Sequence, residues 1–266
     1  MLGAIFSKKD FRDYKLVCGA SSESFPKTFE LKFFNNSIVK NQGPIGSCVA
    51  HALSTIVEYY DNTQNGNTAE MSTGYIYGNR NTSAHKGEGM IIRDALSAVK
   101  LYGDVYKERF PHNIEVPTAI SKFQKNTEKL YDEGYVNRIS SYCKLNNEKE
   151  IKTMLMEGKP VVFAIKWYGD MKVVNGVLTT SYINYKGGHC MIIYGWDERG
   201  WKVQNSYGKF WGNTGKCIIK YDMKIREAWG VIDNIKGTNI SIKKPFSNKI
   251  GKQVAIGLNK IWKIFS

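Results

Sequence analysis

From Cys48 onward, apolar residues fall at 49, 52, 53, 56, 57 and 60, the i, i+3, i+4, i+7 spacing of a helix with one buried face. The spacing predicts a helix from Cys48 to Tyr60, ended by Asp61-Asn62 and Asn65-Gly66-Asn67. In front of it, Asn41-Gln42-Gly43-Pro44-Ile45-Gly46-Ser47 is dense in breakers and predicts a loop. A second helix is expected from Ile91 to Tyr102, stopped by Gly103, and a third over roughly Glu148 to Glu157. The pattern then changes to short apolar runs separated by turn signals, at 160–168, 177–181, 189–195, 200–205 and 216–221, which predict strands. Residues 1–24, polar and charged after the first six, predict an irregular arm. A helix-rich first half and a strand-rich second half point to an α+β protein of two lobes packed side by side.

Composition narrows the class. The 266 residues, 42% hydrophobic and 13% aromatic, can bury a sizeable core without disulfide or metal staples, which excludes intrinsic disorder. The longest apolar runs, such as Val161-Val162-Phe163-Ala164-Ile165, are strand-sized and fall far short of the ~20 residues of a membrane span. The net charge of +14 is unevenly placed: from Lys236 onward there are seven Lys and no Asp, Glu or Arg. Within that stretch Ile250, Val254, Leu258, Ile261 and Phe265 would share one helix face. The expectation is a basic amphipathic tail that docks on an acidic protein or an anionic membrane surface; the alternative is a solvated terminus. Nucleic acid is not expected, since no binding motif accompanies the charge. The five cysteines (18, 48, 143, 190 and 217) show no CxxC and no zinc-like pairing with His, so neither a metal nor a cofactor is expected. Met1-Leu2-Gly3-Ala4-Ile5-Phe6 is too short for a signal-peptide apolar region, and residence in the cytoplasm at synthesis is the expectation.

Four residues carry candidate chemistry. Cys48 is placed at the first position of a helix, where unpaired backbone N–H groups and the helix dipole favour an anion and can lower a thiol pKa when an imidazolium approaches. His189 opens an apolar strand after Gly187-Gly188, and Asn205 ends the next strand. A short turn, 196–200, would set those two ends side by side. A Cys–His pair with an amide orienting the imidazole is an activated-nucleophile arrangement. Gln42, six residues before Cys48, can supply an amide N–H₂ to an oxyanion hole together with the Cys48 backbone N–H. His51 is expected on the helix flank, His85 and His112 lie in loop-like surroundings, and Cys190 and Cys217 are expected in the core.

These blocks, Asn41-Gln42-Gly43 through Gly46-Ser47-Cys48, then Gly188-His189, then Asn205-Ser206-Tyr207-Gly208 through Trp211-Gly212, resemble those of the papain-like cysteine peptidases, in the same order. His189 lies within the roughly 130–150 residues that separate such partners, and Asn205 falls slightly beyond. The resemblance covers about residues 25–222 and is nearest to short, propeptide-poor members of bacteria and their viruses, so a place in a phage particle or larger assembly is one expectation. It implies a papain-like two-lobed fold: a helical lobe over about 25–110 and an antiparallel β-barrel-like lobe over about 111–235, with the active-site groove between them. The arm 1–24 precedes it and the basic tail 236–266 follows. It further implies an endopeptidase that cleaves extended polypeptide, with Cys48 as nucleophile, His189 as acid–base, Asn205 orienting it and Gln42 in the oxyanion hole. Gly89, Met90, Gly188, Tyr207 and Trp211 would surround the substrate, Gly89 and Met90 pairing with its backbone and Trp211 packing beneath the His–Asn pair.

The departures bear on that expectation. Ile45 stands where secreted relatives have half of a disulfide, Val49 replaces an aromatic, and Tyr207 replaces a Trp that shields the Asn–His bond from water. Only 24 residues precede Phe25, which leaves the arm or the tail as candidates for control. Two alternatives remain open at this level: a catalytically idle papain-like binding module in a larger assembly, and a thiol acyltransferase using an amine acceptor.

Overall fold

A computed structural model describes residues 2–11, 13–16, 24–80, 87–110, 127–233 and 242–243. Three short strands open the chain, β1 (Ala4–Ile5), β2 (Lys15–Leu16) and β3 (Phe29–Glu30), and a single turn, α1 (Phe33–Asn36), leads to the central helix α2 (Cys48–Asn65). Next come α3 (Thr73–Gly78), β4 (Met90–Ile91) and α4 (Ile92–Tyr102). The helix α5 (Thr127–Gly134), strand β5 (Ser141–Leu145) and helix α6 (Glu148–Met156) lead into the strand-rich half. That half holds β6 (Val161–Tyr168), β7 (Lys172–Val174), β8 (Val177–Thr179), β9 (Tyr185–Asp197), β10 (Gly200–Gln204), β11 (Lys216–Ile219) and β12 (Ile225–Ile232), and β13 (Ile242–Lys243) follows.

The predicted helix at Cys48 is present but longer, running to Asn65, where Gly66 in the left-handed conformation (φ 71°) returns its N–H to Asn62 O. Its burial differs from the amphipathic expectation: every residue from Cys48 to Asp61 is buried. The cause is packing on several sides, against α1, α3, α4, β4 and β9. Each fully buried aliphatic side chain on it, such as Leu53 or Ile56, contributes roughly 1.5–3 kcal/mol of transfer free energy. Two of the polar residues caught in this burial have clear partners. Glu58 meets Lys40 at 2.6 Å and accepts the Met71 N–H. His51, expected on the helix flank, is buried with Nδ1 2.9 Å from Ser47 O.

Eleven of the described strands form one mixed sheet in the order β13-β2-β5-β12-β6-β9-β10-β11-β8-β7, with β3 added on β9, and β1 and β4 pair separately as a two-stranded parallel sheet. Most contacts are antiparallel; β2–β5 and β11–β8 are parallel. Among the described residues the sheet is open, so the expected barrel-like lobe is realised there as a sheet that does not close on itself. Strand β12, which the hydrophobic runs did not mark, pairs both β5 and β6 and is buried from Glu227 to Ile232. The arm is not irregular throughout, since β1 and β2 both lie within it. The expected amphipathic tail helix, His85 and His112 fall outside the described residues. Among the described residues no helix is long and apolar enough to cross a membrane.

Candidate active site

Cys48 occupies the first turn of α2, the helix end whose free N–H groups favour an anion. The loop before it is stitched to the segment after β10. Asn41 bridges Tyr207, Gln42 N–H donates to Ser206 O at 2.9 Å, and Gly208 N–H donates to Lys40 O at 3.0 Å. This stitching brings Gln42 beside Asn205-Ser206 although they are far apart in sequence. Ser206 Oγ donates to Gln42 Oε1 at 2.7 Å. The Gln42 Nε2 then donates to Ile45 O at 2.8 Å.

The β9–β10 hairpin places the second pair. Its register sets Gln204 opposite Ile192, and a bulge at Lys202/Val203 adjusts the end of β10. His189 Nε2 lies 2.7 Å from Asn205 Oδ1. The same oxygen accepts the Ser206 N–H at 2.8 Å, so it faces the ring as an acceptor and Nε2 carries the proton. His189 Nδ1 is buried with no hydrogen-bond partner, and in this tautomer it is the basic nitrogen. The Cys48 thiol is hydrogen-bonded by the backbone of Cys190, the residue next to His189.

Both reactive groups are fully buried, and burial sets their titration. It pushes the Cys48 thiol up, against the pull of backbone hydrogen bonds from Cys190, Gly3, Val49 and Cys48 itself. Burial also pulls the His189 imidazole down to about 4, against the Asn205 hydrogen bond. Burial thus favours the neutral thiol and the neutral imidazole.

An aromatic wall surrounds the imidazole. Tyr207 stacks on it with centroids 4.8 Å apart, and Trp167 meets it edge-on at 4.6 Å. Trp211, expected beneath the His–Asn pair, packs one layer further out, on Tyr207 and Trp167. Tyr207 therefore shields the imidazole jointly with Trp167. Sequence reasoning missed Trp167 and Ser206. Strand alternation could have found Trp167 had the register been known: Ile165 opposes His189, and Trp167, two residues on, lies diagonal to it on the same face. Gly89, Met90 and Gly188, expected to meet the substrate, have the chain's own residues against them. Ala4 pairs with Met90, and a Cβ on Gly188 would fall 2.1 Å from Ala4 O. Among the described residues no cluster of His, Cys, Asp or Glu could hold a metal.

A sequence profile of the papain family cysteine proteases matches residues 25–234. The chain belongs to that family. It is a cysteine peptidase, a hydrolase of the papain type. A peptidase C1-like protein of Acanthamoeba polyphaga mimivirus is 27% identical over 81% of this chain and 76% of its own length. Macrodontain-1 of Ananas macrodontes is 26% identical over 70% of this chain and 84% of its own. In structure the chain resembles xylellain, a cysteine protease of Xylella fastidiosa, with a TM-score of 0.75 at 22% identity, covering 88% of this chain and 96% of xylellain. That likeness carries the two-lobed α+β fold.

Proposed function

We propose that this chain is an endopeptidase that hydrolyses extended polypeptide through a Cys48 thiolate and a His189 imidazolium. The observation that carries the reading is the His189 ring, held by Asn205 Oδ1 at Nε2 with Nδ1 left unbonded, beside a thiol at the first turn of an 18-residue helix. The thiolate attacks the peptide carbonyl carbon, and the developing oxyanion is met by the Cys48 backbone N–H and the Gln42 amide. The imidazolium gives its proton to the leaving amine, and water then hydrolyses the thioester with His189 as base. Asn205 keeps the ring in the tautomer the reaction needs, and Tyr207 with Trp167 keeps water from that hydrogen bond.

Intact-mass analysis after exposure to an epoxysuccinyl peptide at pH 6 tests this reading, with Cys48→Ala as control. The expected result is one adduct on Cys48 and none in the variant. Cys48 modified solely by small alkylators at high pH, in protein whose groove is open, would overturn it and leave the idle binding module. Product masses with and without an added amine separate hydrolysis from acyl transfer.

A further inference from the structure

A small buried chamber lies where α2 meets the strand ends that carry His189 and Asn205. His51 of α2, Cys190 of β9, Asn205 and Ser206 past the end of β10, and Lys40 from the preceding loop all stand at its wall. Each of these residues is buried. The chamber's volume is about 10 Å³, the size that holds one water when polar groups line it.

Asn205 brings a donor to this chamber. Its Oδ1 is committed, to His189 Nε2 at 2.7 Å and to the Ser206 N–H at 2.8 Å. Its Nδ2 is buried and has no protein partner, and an amide donor in that position calls for an acceptor. His51, three residues after Cys48 on the same helix, brings that acceptor. Its Nδ1 lies 2.9 Å from Ser47 O. A carbonyl can only accept, so Nδ1 carries the proton, and Nε2 of the neutral ring carries a lone pair. The other polar groups at the wall are turned elsewhere. The Lys40 ammonium, which has only donors to offer, meets Glu58 at 2.6 Å and Met71 O at 3.0 Å, and Ser206 Oγ donates to Gln42.

We propose that His51 is a positioning residue of the reaction: one water in the chamber accepts the Asn205 Nδ2–H and donates to His51 Nε2, so that the amide holding His189 is itself gripped at both ends. The helix that carries the thiol thereby sets the plane of the amide that orients the imidazole, through a link that touches neither reacting atom. Without it, the Ser206 N–H alone opposes a turn of the Asn205 amide. A turned amide would set its N–H₂ against the protonated His189 Nε2, donor against donor, and the ring would lose its tautomer. The proposal rests on the reading that Cys48 and His189 act as a thiolate–imidazolium pair.

Three variants separate the two nitrogens of the His51 ring. His51→Asn keeps a donor at the place of Nδ1, His51→Gln keeps an amide at the place of Nε2, and His51→Leu keeps neither. Inactivation by an epoxysuccinyl peptide at pH 6, followed by intact mass, gives a maximal rate and the inhibitor concentration at half that rate. His51→Leu and His51→Asn are expected to lose about ten- to a hundredfold in the maximal rate, the cost of a misplaced catalytic group, with the half-rate concentration unchanged. His51→Gln is expected to stay near the parent. Rescue by Asn and not by Gln, in variants that unfold in urea as the parent does, would mean that His51 merely anchors Ser47, and the proposal would fall. Parent-like rates in all three would sink it as well.

A second readout needs no reaction. In protein labelled with ¹⁵N-histidine, the His189 Nε2 proton reports the bond to Asn205. It is expected to exchange with solvent faster in His51→Leu than in the parent, and at the parent's rate in His51→Gln; equal exchange in all three contradicts the proposal. In the parent itself, a cross-peak between the Asn205 side-chain amide and a bound water is expected, and its absence contradicts the proposal without recourse to any variant. The two readouts also part this proposal from the reading beneath it. If Cys48 takes no epoxide in any of these proteins while the His189 proton responds as expected, the positioning role stands and the thiolate–imidazolium reading fails. Adducts at equal rates with an indifferent His189 proton give the reverse.

Discussion

Replacing Lys40 by Met removes the cation that sits against the flank of α2, the helix that carries Cys48. Lys40 Nζ lies 2.6 Å from Glu58 Oε1 and 3.7 Å from Glu70, and donates to Met71 O at 3.0 Å; the two side chains of the closer pair are 1% and 7% exposed. Removing one partner of such a pair strands a buried charge, a loss of about 3–5 kcal/mol. For a chain of this size that corresponds to roughly 6–20 °C in Tm. The loss should depend on pH. Burial already raises the Glu58 carboxyl above its ordinary range while Lys40 pulls it down, so the variant's carboxyl titrates higher still. A carboxyl raised in the folded state takes up its proton more readily folded than unfolded, and this favours folding at low pH. The penalty is therefore full at pH 8 and shrinks at pH 5 toward that of a lost neutral hydrogen bond, about 0.5–1.5 kcal/mol. Of the other acids facing Lys40, Asp104 is fully buried and pushed well up by that burial, and Glu70 keeps its contact with Lys107. Urea titrations followed by tryptophan fluorescence at both pH values measure the difference. Adding Glu58→Gln should recover part of the loss at pH 8. A loss below about 1 kcal/mol at pH 8, or equal losses at the two pH values, would refute the reasoning.

Three further outcomes are expected. Gln42→Ala should lower kcat on the order of 10²–10³ with little change in KM, as for loss of an oxyanion donor, measured with a peptide substrate. The depressed His189 makes folding less favourable as pH falls from 6.5 to about 4, since the unfolded chain takes up the proton first; the loss is about 3 kcal/mol, and denaturant titrations of His189→Gln should lack this part of the slope. Lys152 lies over the rings of Phe25, Trp196, Trp201 and Tyr221 at 5.9, 5.4, 6.0 and 5.2 Å and pairs with Glu148 at 2.6 Å; Lys152→Met should cost about 1–2 kcal/mol and Lys152→Arg much less, by thermal unfolding.

Much of this arrangement is legible in the linear pattern. The spacing of Leu53, Ile56, Val57 and Tyr60 announces α2, and Gly103 marks the end of α4. The double glycine before His189 and the turn at 196–200 announce the hairpin that joins His189 to Asn205. Burial on the remaining faces of α2 was not legible, because it depends on how many neighbours surround a helix and not on the helix's own periodicity. Trp167 escaped for a related reason. Its own alternation is ordinary, and its place at the imidazole comes from the register between β6 and β9, which a tertiary arrangement sets. Strand β12 is broken in sequence by Arg226 and Glu227, and Glu227 is satisfied by the Trp229 indole and the Ser7 amide once folded.

The sequence by itself determined which groups the candidate site holds: a thiol at a helix start, an imidazole and an amide at adjacent strand ends, and a glutamine within reach, since each follows from local spacing and short turns. What only the tertiary structure decided is whether that chemistry is open to a substrate. Gly3, Gly89 and Gly188 look alike as loop or arm glycines in the chain. Their joint meaning exists only where distant backbones approach more closely than a Cβ on any of the three would allow, and no local pattern encodes that approach.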